Sequence, residues 1–257
     1  MNITIKTPEE IAILREGGKR LAEILHALAA EVHPGQTALA LNALAEKLVK
    51  EGGDKSAFLN YKPYGANRPY PASLCVSIND EIVHGIPNES SKILKEGDIV
   101  SLDMGLVHKG LFTDMAVTVA VGKIDASAKK LLSVTESALA EGIAKARAGS
   151  RVGEISFAIE SYIKSAGNYG IVEELAGHGV GYKVHEDPYV PNYGKRTSGP
   201  VLKPCMVLAI EPMVNEGGKQ VLLAPDGYTY RTADGKRSAH FEKTIVITDG
   251  EAEILTQ

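Results

Sequence analysis

This chain has no excess of positive charge, no set of cysteines and no long apolar run. Lys and Arg number 28 against 32 Asp and Glu, a net charge of −4. No broad basic footprint therefore argues for a nucleic-acid substrate. Two cysteines, Cys75 and Cys205, cannot build a disulfide scaffold, so a reduced, cytoplasmic setting is expected. No stretch approaches the ~18 apolar residues of a membrane span. Residues 1–6 also lack the apolar core of a signal peptide. What is present is 257 residues, 44% of them hydrophobic. That is enough for a sizeable core in one large domain or two fused halves.

Helices and strands alternate in a repeated order. Thr7-Pro8-Glu9-Glu10 reads as a helix start, with Thr7 as cap, Pro8 in the first turn and Glu10 closing a capping box. Ile11, Leu14, Leu21, Leu25, Leu28 and Val32 then keep helical spacing. A second helix starts near Thr37 and stops at Gly52-Gly53. Two more are predicted at 126–147 and 153–166. Strands follow each helix pair: 99–107 and 111–121 as a hairpin, then 206–214 and 241–248. Residues 94–103 echo residues 202–211 at a constant offset, which makes Asp103 and Glu211 equivalent in halves of about 1–122 and 123–257. The Tyr- and Pro-rich segment 60–73 suits neither helix nor central strand. It reads equally well as a pocket rim or a plain surface loop.

Five residues of metal-binding type, Asp103, Asp114, His178, Glu211 and Glu242, lie too far apart in sequence to meet unless a fold gathers them. Gathered, four carboxylates would repel unless cations held them. Two divalent ions would balance them and activate water for hydrolysis. Each residue also has an ordinary reading. A turn at His108-Lys109 puts the two aspartates directly opposite, and a turn at Lys109-Gly110 puts them on a diagonal of one face. A longer turn splits them, and one then points to solvent. His178 sits between glycines and is equally readable as structural. Glu211 interrupts an apolar run, where burial is costly unless it is paired, although Pro212 permits a water-facing edge. Glu242 has Lys243 and Arg237 as candidate surface partners.

Taken together, the motifs resemble the type I methionine aminopeptidase family. They are His84-Gly85-Ile86-Pro87, Leu102-Asp103 with Asp114 beyond it, Gly177-His178-Gly179-Val180-Gly181, His185-Glu186-Asp187-Pro188, Ile210-Glu211-Pro212-Met213 and Phe241-Glu242-Lys243-Thr244. The resemblance spans nearly the whole chain and implies an α+β, pita-bread (creatinase/aminopeptidase) fold. That fold has a curved antiparallel sheet and two helix pairs related by a pseudo-two-fold. It implies two divalent ions of Co, Mn, Fe or Zn, bridged by Asp114 and Glu242. Asp103 would complete one ion's shell, and His178 and Glu211 the other's. Glu211 would accept the proton of the attacking water. His185 would contact the substrate's peptide group, and His84 would assist at the leaving nitrogen. Phe58, Tyr61, Tyr64, Cys75, Val184 and Tyr228 match the methionine pocket, whose aromatic and sulfur-bearing wall suits a thioether. The implied activity is removal of the initiator methionine when the second residue is small.

The partners implied are nascent-chain N-termini, with the ribosome brought into consideration by that substrate, on a monomeric protein. The chain's own second residue, Asn2, is larger, so Met1 is expected to stay. Departures from the family pattern are Cys205 in place of a glycine, His240 in place of a glutamine, a longer segment from Gly65 to Ala72, and Val184 and Tyr228 at positions often Phe and Trp. His240 is a candidate for an extra metal contact or hydrogen bond. The rival readings are a proline-directed aminopeptidase of the same fold, which usually carries a large N-terminal domain, and a non-catalytic binding protein. The latter characteristically loses metal ligands, and all five are present here.

Overall fold

Side-chain alternation along the strands fixes which face of the sheet each residue occupies. The computed structural model describes residues 2–257, so the expectation for Met1 falls outside the described residues. Four helices are described, α1 (Pro8–Ala30), α2 (Ala38–Glu51), α3 (Ala126–Ile143) and α4 (Val152–Ala166). The α1 capping box is formed as expected, with Thr7 accepting from the Glu10 amide and the Glu10 side chain returning to the Thr7 amide. The third helix stops earlier than residue 147 because residues 144–149 turn back toward the strand region, with Gly149 donating to the Leu202 carbonyl. No described helix is long and apolar enough to cross a membrane.

The main sheet has nine strands, all antiparallel pairings. At its centre run Ile99–His108, Leu111–Ala120, Glu242–Val246 and Val207–Ile210, in that order. In the first strand Val100, Leu102, Met104 and Leu106 pack into the core beneath α1 and α2. Leu208, Ile210 and Ile245 pack into a second core with residues of α3 and α4. In the first of these strands the residues between, Ser101, Asp103 and Gly105, take the opposite face.

The hairpin register is His108 against Leu111, which places the two-residue turn at Lys109-Gly110. Both turn residues have positive φ, 48° and 86°, the pattern of a type I′ turn that matches strand twist. Of the alternatives open in the sequence, this is the diagonal one. The expected strand 206–214 is broken at Glu211-Pro212 into Val207–Ile210 and Met213–Asn215, because proline cannot donate to the ladder.

Candidate metal centre and substrate cavities

Register alone gathers the acidic residues. Asp103 pairs with Ala116 and Asp114 with Gly105, so both carboxylates share a face, and each has a minimal side chain opposite it. Ala116 pairs in turn with Glu242. Lys243 pairs with Ile210, which brings Glu211 beside Glu242 at the strand end. His178 pairs with Ala209, two residues before Glu211. Asp114, His178 and Glu242 offer ligand atoms within 4.8 Å of one another. Glu211 leans toward two imidazoles, 3.4 Å from His178 Nε2 and 3.4 Å from His240 Nε2. Asp103 lies at the other side of the cluster, beside Cys75 across the neighbouring strand.

Asp103, Asp114 and Glu242 are buried, the Glu211 side chain is 13% exposed, and among the described residues none of the four pairs with a lysine or arginine. Arg237 pairs instead with Glu216 and Asp125, each at 2.9 Å. Lys243 Nζ donates to the Thr256 carbonyl at 2.6 Å. The surface ion pair considered for Glu242 is therefore not formed, and Glu211, within reach of two imidazoles, lines the two cavities that meet at the cluster. Burial, as the leading cause, raises Asp103 to about 7 and Glu211 to about 8. It also pushes Asp114 and Glu242 well above the usual carboxylate range, with repulsion from neighbouring carboxylates adding to the shift. Glu242 Oε1 and both His240 ring nitrogens have no hydrogen-bond partner. Buried, unpartnered oxygens on clustered carboxylates fit hard divalent cations, which would supply the missing positive charge.

His178 fits the same purpose. Its Nδ1 lies 3.0 Å from the Gly179 carbonyl. Donation of the Nδ1 proton there leaves the Nε2 lone pair free toward the carboxylates. Burial lowers its pKa to about 3, so the ring is neutral, as a ligand must be. His84 is half-buried and pushed down to about 4, chiefly by desolvation. It sits at φ 58°, an uncommon conformation for a residue with a side chain. His185 Nδ1 lies 2.9 Å from the Tyr61 hydroxyl, and its ring stands 4.5 Å from that of His178.

Two cavities meet at this cluster. One, of about 430 Å³, is walled by Phe58, Tyr61, Cys75 and Tyr228, with Tyr64 at its rim, and reaches Asp103, Asp114 and Glu242. The segment 60–73 is thus a pocket rim. The other, of about 700 Å³, runs outward past Glu174, Tyr182, Lys183 and Asp187. Both include His84, His178, His185 and Glu211.

The structure does not bring Val184 into either cavity. It is buried, while its neighbours Lys183 and His185 face the cleft. Residues 181–185 form a bend between two strands, and within it the Val184 side chain is buried in the interior. Tyr64 is fully exposed at the rim, not part of the wall. Tyr70 went unread as a pocket residue. It packs edge-on against Phe58 and Tyr228, with ring centroids 6.5 and 5.2 Å away. Its hydroxyl donates to the Gly85 carbonyl at 3.1 Å. An aromatic held between Pro69 and Pro71 is the one signal that could have marked it.

Known proteins resemble this chain in sequence and fold. Residues 12–249 match Metallopeptidase family M24. Methionine aminopeptidase 1 of Bacillus subtilis is 45% identical over 255 residues, covering 99% of each chain. The crystal structure of methionine aminopeptidase from Thermotoga maritima superposes with a TM-score of 0.93 at 44% identity, again covering 99% of each chain. The Xaa-Pro dipeptidase from Bacillus anthracis shares the fold alone. Its TM-score is 0.77 at 24% identity, and only 62% of its chain is covered.

Proposed function

The chain belongs to metallopeptidase family M24, and from that premise we infer that it is a methionine aminopeptidase, which hydrolyses the peptide bond after an N-terminal methionine. The observation that carries this reading is the meeting of an aromatic-walled pocket and a larger outward cleft at one acidic cluster. A methionine side chain fills the first, and the rest of the polypeptide leaves through the second.

We propose that Asp103, Asp114, His178, Glu211 and Glu242 would hold two divalent ions. Mn, Fe, Co and Zn all suit the ligand set. When bound, such ions supply Lewis acidity at the scissile carbonyl and lower the pKa of water. The remaining roles fall to the chain. Glu211 takes up the proton released from the attacking water. His185, steadied by Tyr61, hydrogen-bonds the substrate's peptide group. His84, neutral because desolvated, serves the departing nitrogen as a hydrogen-bonding group and not as a charge. Phe58, Tyr61, Tyr70, Cys75 and Tyr228 exclude water around the thioether. We further propose that residues 1–257 act as one catalytic domain, with pseudo-repeat halves meeting between Leu111–Ala120 and Glu242–Val246. Cytoplasmic nascent chains are its substrates, met at the ribosome, and the protein works as a monomer.

Peptides beginning Met-Ala, Met-Arg and Ala-Pro, assayed with added metal, test the reading. Met-Ala should be cleaved, Met-Arg far more slowly and Ala-Pro not at all. Turnover of Ala-Pro alone would make this a proline-directed enzyme. Turnover of none by folded, metal-loaded protein would leave a binding protein.

A further inference from the structure

Lys6 is only 2% exposed, an unusual fate for a lysine near a chain end. Its Nζ donates to Glu186 Oε2 at 2.8 Å and also to the Thr4 hydroxyl. The same ammonium lies 4.3 Å from the centre of the Tyr182 ring. Glu186 is satisfied from every side. Thr4 donates to Oε2 at 2.6 Å, and the backbone amides of Tyr182 and Lys183 donate to Oε1. Gly181 has φ 140°, and a Cβ there would collide with Lys6 Cε. The tight loop between Gly177–Gly179 and Glu186–Val190 is therefore built around the Lys6 side chain. The strand Gly177–Gly179 carries His178, and the loop carries His185.

The N-terminal segment is tied down at both ends of this contact. The Lys6 amide donates to the Cys205 carbonyl at 2.9 Å, and the Asn2 amide donates to Asp187 Oδ2 at 2.5 Å. Asn2 and Thr4 also line the outward cleft. The strap thus reaches the cleft and the loop together, with one buried ion pair joining them.

We infer that Lys6 is a positioning residue for the reaction: through Glu186 it sets the conformation of the loop that holds His185 over the substrate's peptide group. The inference rests on the role given above to His185. Its structural basis is that four donors converge on one carboxylate immediately next to the working histidine in sequence. Removing the ammonium leaves Glu186 buried without its counter-charge. The loop must then rearrange to hydrate it, and His185 moves with the loop. A displacement of about 1 Å at a positioned group costs on the order of 100-fold in rate.

A double-mutant cycle on the manganese-loaded enzyme, with Met-Ala-Ser as substrate, tests this. Lys6→Met should lower kcat on the order of 100-fold, with KM changed by less than about threefold. In the His185→Ala background the same substitution should change kcat less than about threefold, because the group it positions is gone. Lys6→Arg, which keeps the charge, should recover most of the rate. If Lys6→Met does not fold, Glu186→Gln replaces it in the same cycle with the same expectation. An equal loss in both backgrounds, or full activity in Lys6→Met, would overturn the inference while leaving the role of His185 intact. A normal rate in His185→Ala alone would instead overturn the role on which the inference rests.

Discussion

Two clusters of charge border the same cleft, which Glu186 and Glu211 both line, and they are resolved differently. Around Glu186 the chain supplies everything: a lysine, a threonine hydroxyl and two backbone amides. Around Asp103, Asp114, Glu211 and Glu242 the described residues supply no lysine or arginine, and one Glu242 oxygen is left without a partner. A charge balanced by its own chain reads as structure. A charge left unbalanced, in a cluster that opens on two cavities, reads as a ligand site. The distinction rests on desolvation, since buried ions are tolerated only when paired or coordinated.

The largest expected effect falls on the unbalanced cluster. His178→Ala should lower kcat/KM by more than the ~10–100-fold that loss of a supporting partner around a metal costs, with the circular dichroism spectrum unchanged. Near-normal turnover would remove His178 from the ligand set. The balanced cluster should respond in stability. Glu186→Ala strands Lys6 without its carboxylate, and breaking a buried pair costs about 3–5 kcal/mol, measurable by urea unfolding. A loss below about 1 kcal/mol would mean that the pair is worth no more than a surface one.

Acidity separates the clusters further. Asp103 and Glu211 have folded pKa values of about 7 and about 8, above their ordinary ones of 3.8 and 4.5. The folded metal-free protein therefore holds more protons than the unfolded chain between those limits. Its stability is fully present below about pH 4 on this account and is lost as pH rises toward 8, by about 1.4 kcal/mol per pH unit for each proton in excess. Added manganese should reverse the loss at pH 8. A metal-free protein whose melting temperature stays level between pH 5 and 8 would break the contrast. The smallest effect is expected at Tyr70→Phe, which removes the hydroxyl donating to the Gly85 carbonyl and should cost ~0.5–1.5 kcal/mol.

Much of this was legible before the coordinates. Thr7 and Glu10 announced the first helix, because capping chemistry is local. The five ligand candidates stood out because acidic residues inside apolar strands carry a cost that requires an explanation. Other features depend on geometry beyond the reach of spacing. The choice between turns at His108-Lys109 and Lys109-Gly110 shifts the register by one residue on each strand, and composition permits both. Val184 sits in a motif that matches the pocket, yet its direction depends on a loop conformation fixed by Lys6, far away in sequence. Lys6 itself carried no signal, since a lysine near a chain end is ordinarily solvated. Its importance appears only once Glu186 and Gly181 close around it.

Isothermal titration of manganese into metal-free protein, alongside Asp114→Asn and Glu242→Gln, tests the central claim most directly. The account predicts two equivalents bound per chain, with both substitutions abolishing the second and weakening the first. No binding to the unaltered chain, or two equivalents retained by either variant, would contradict it.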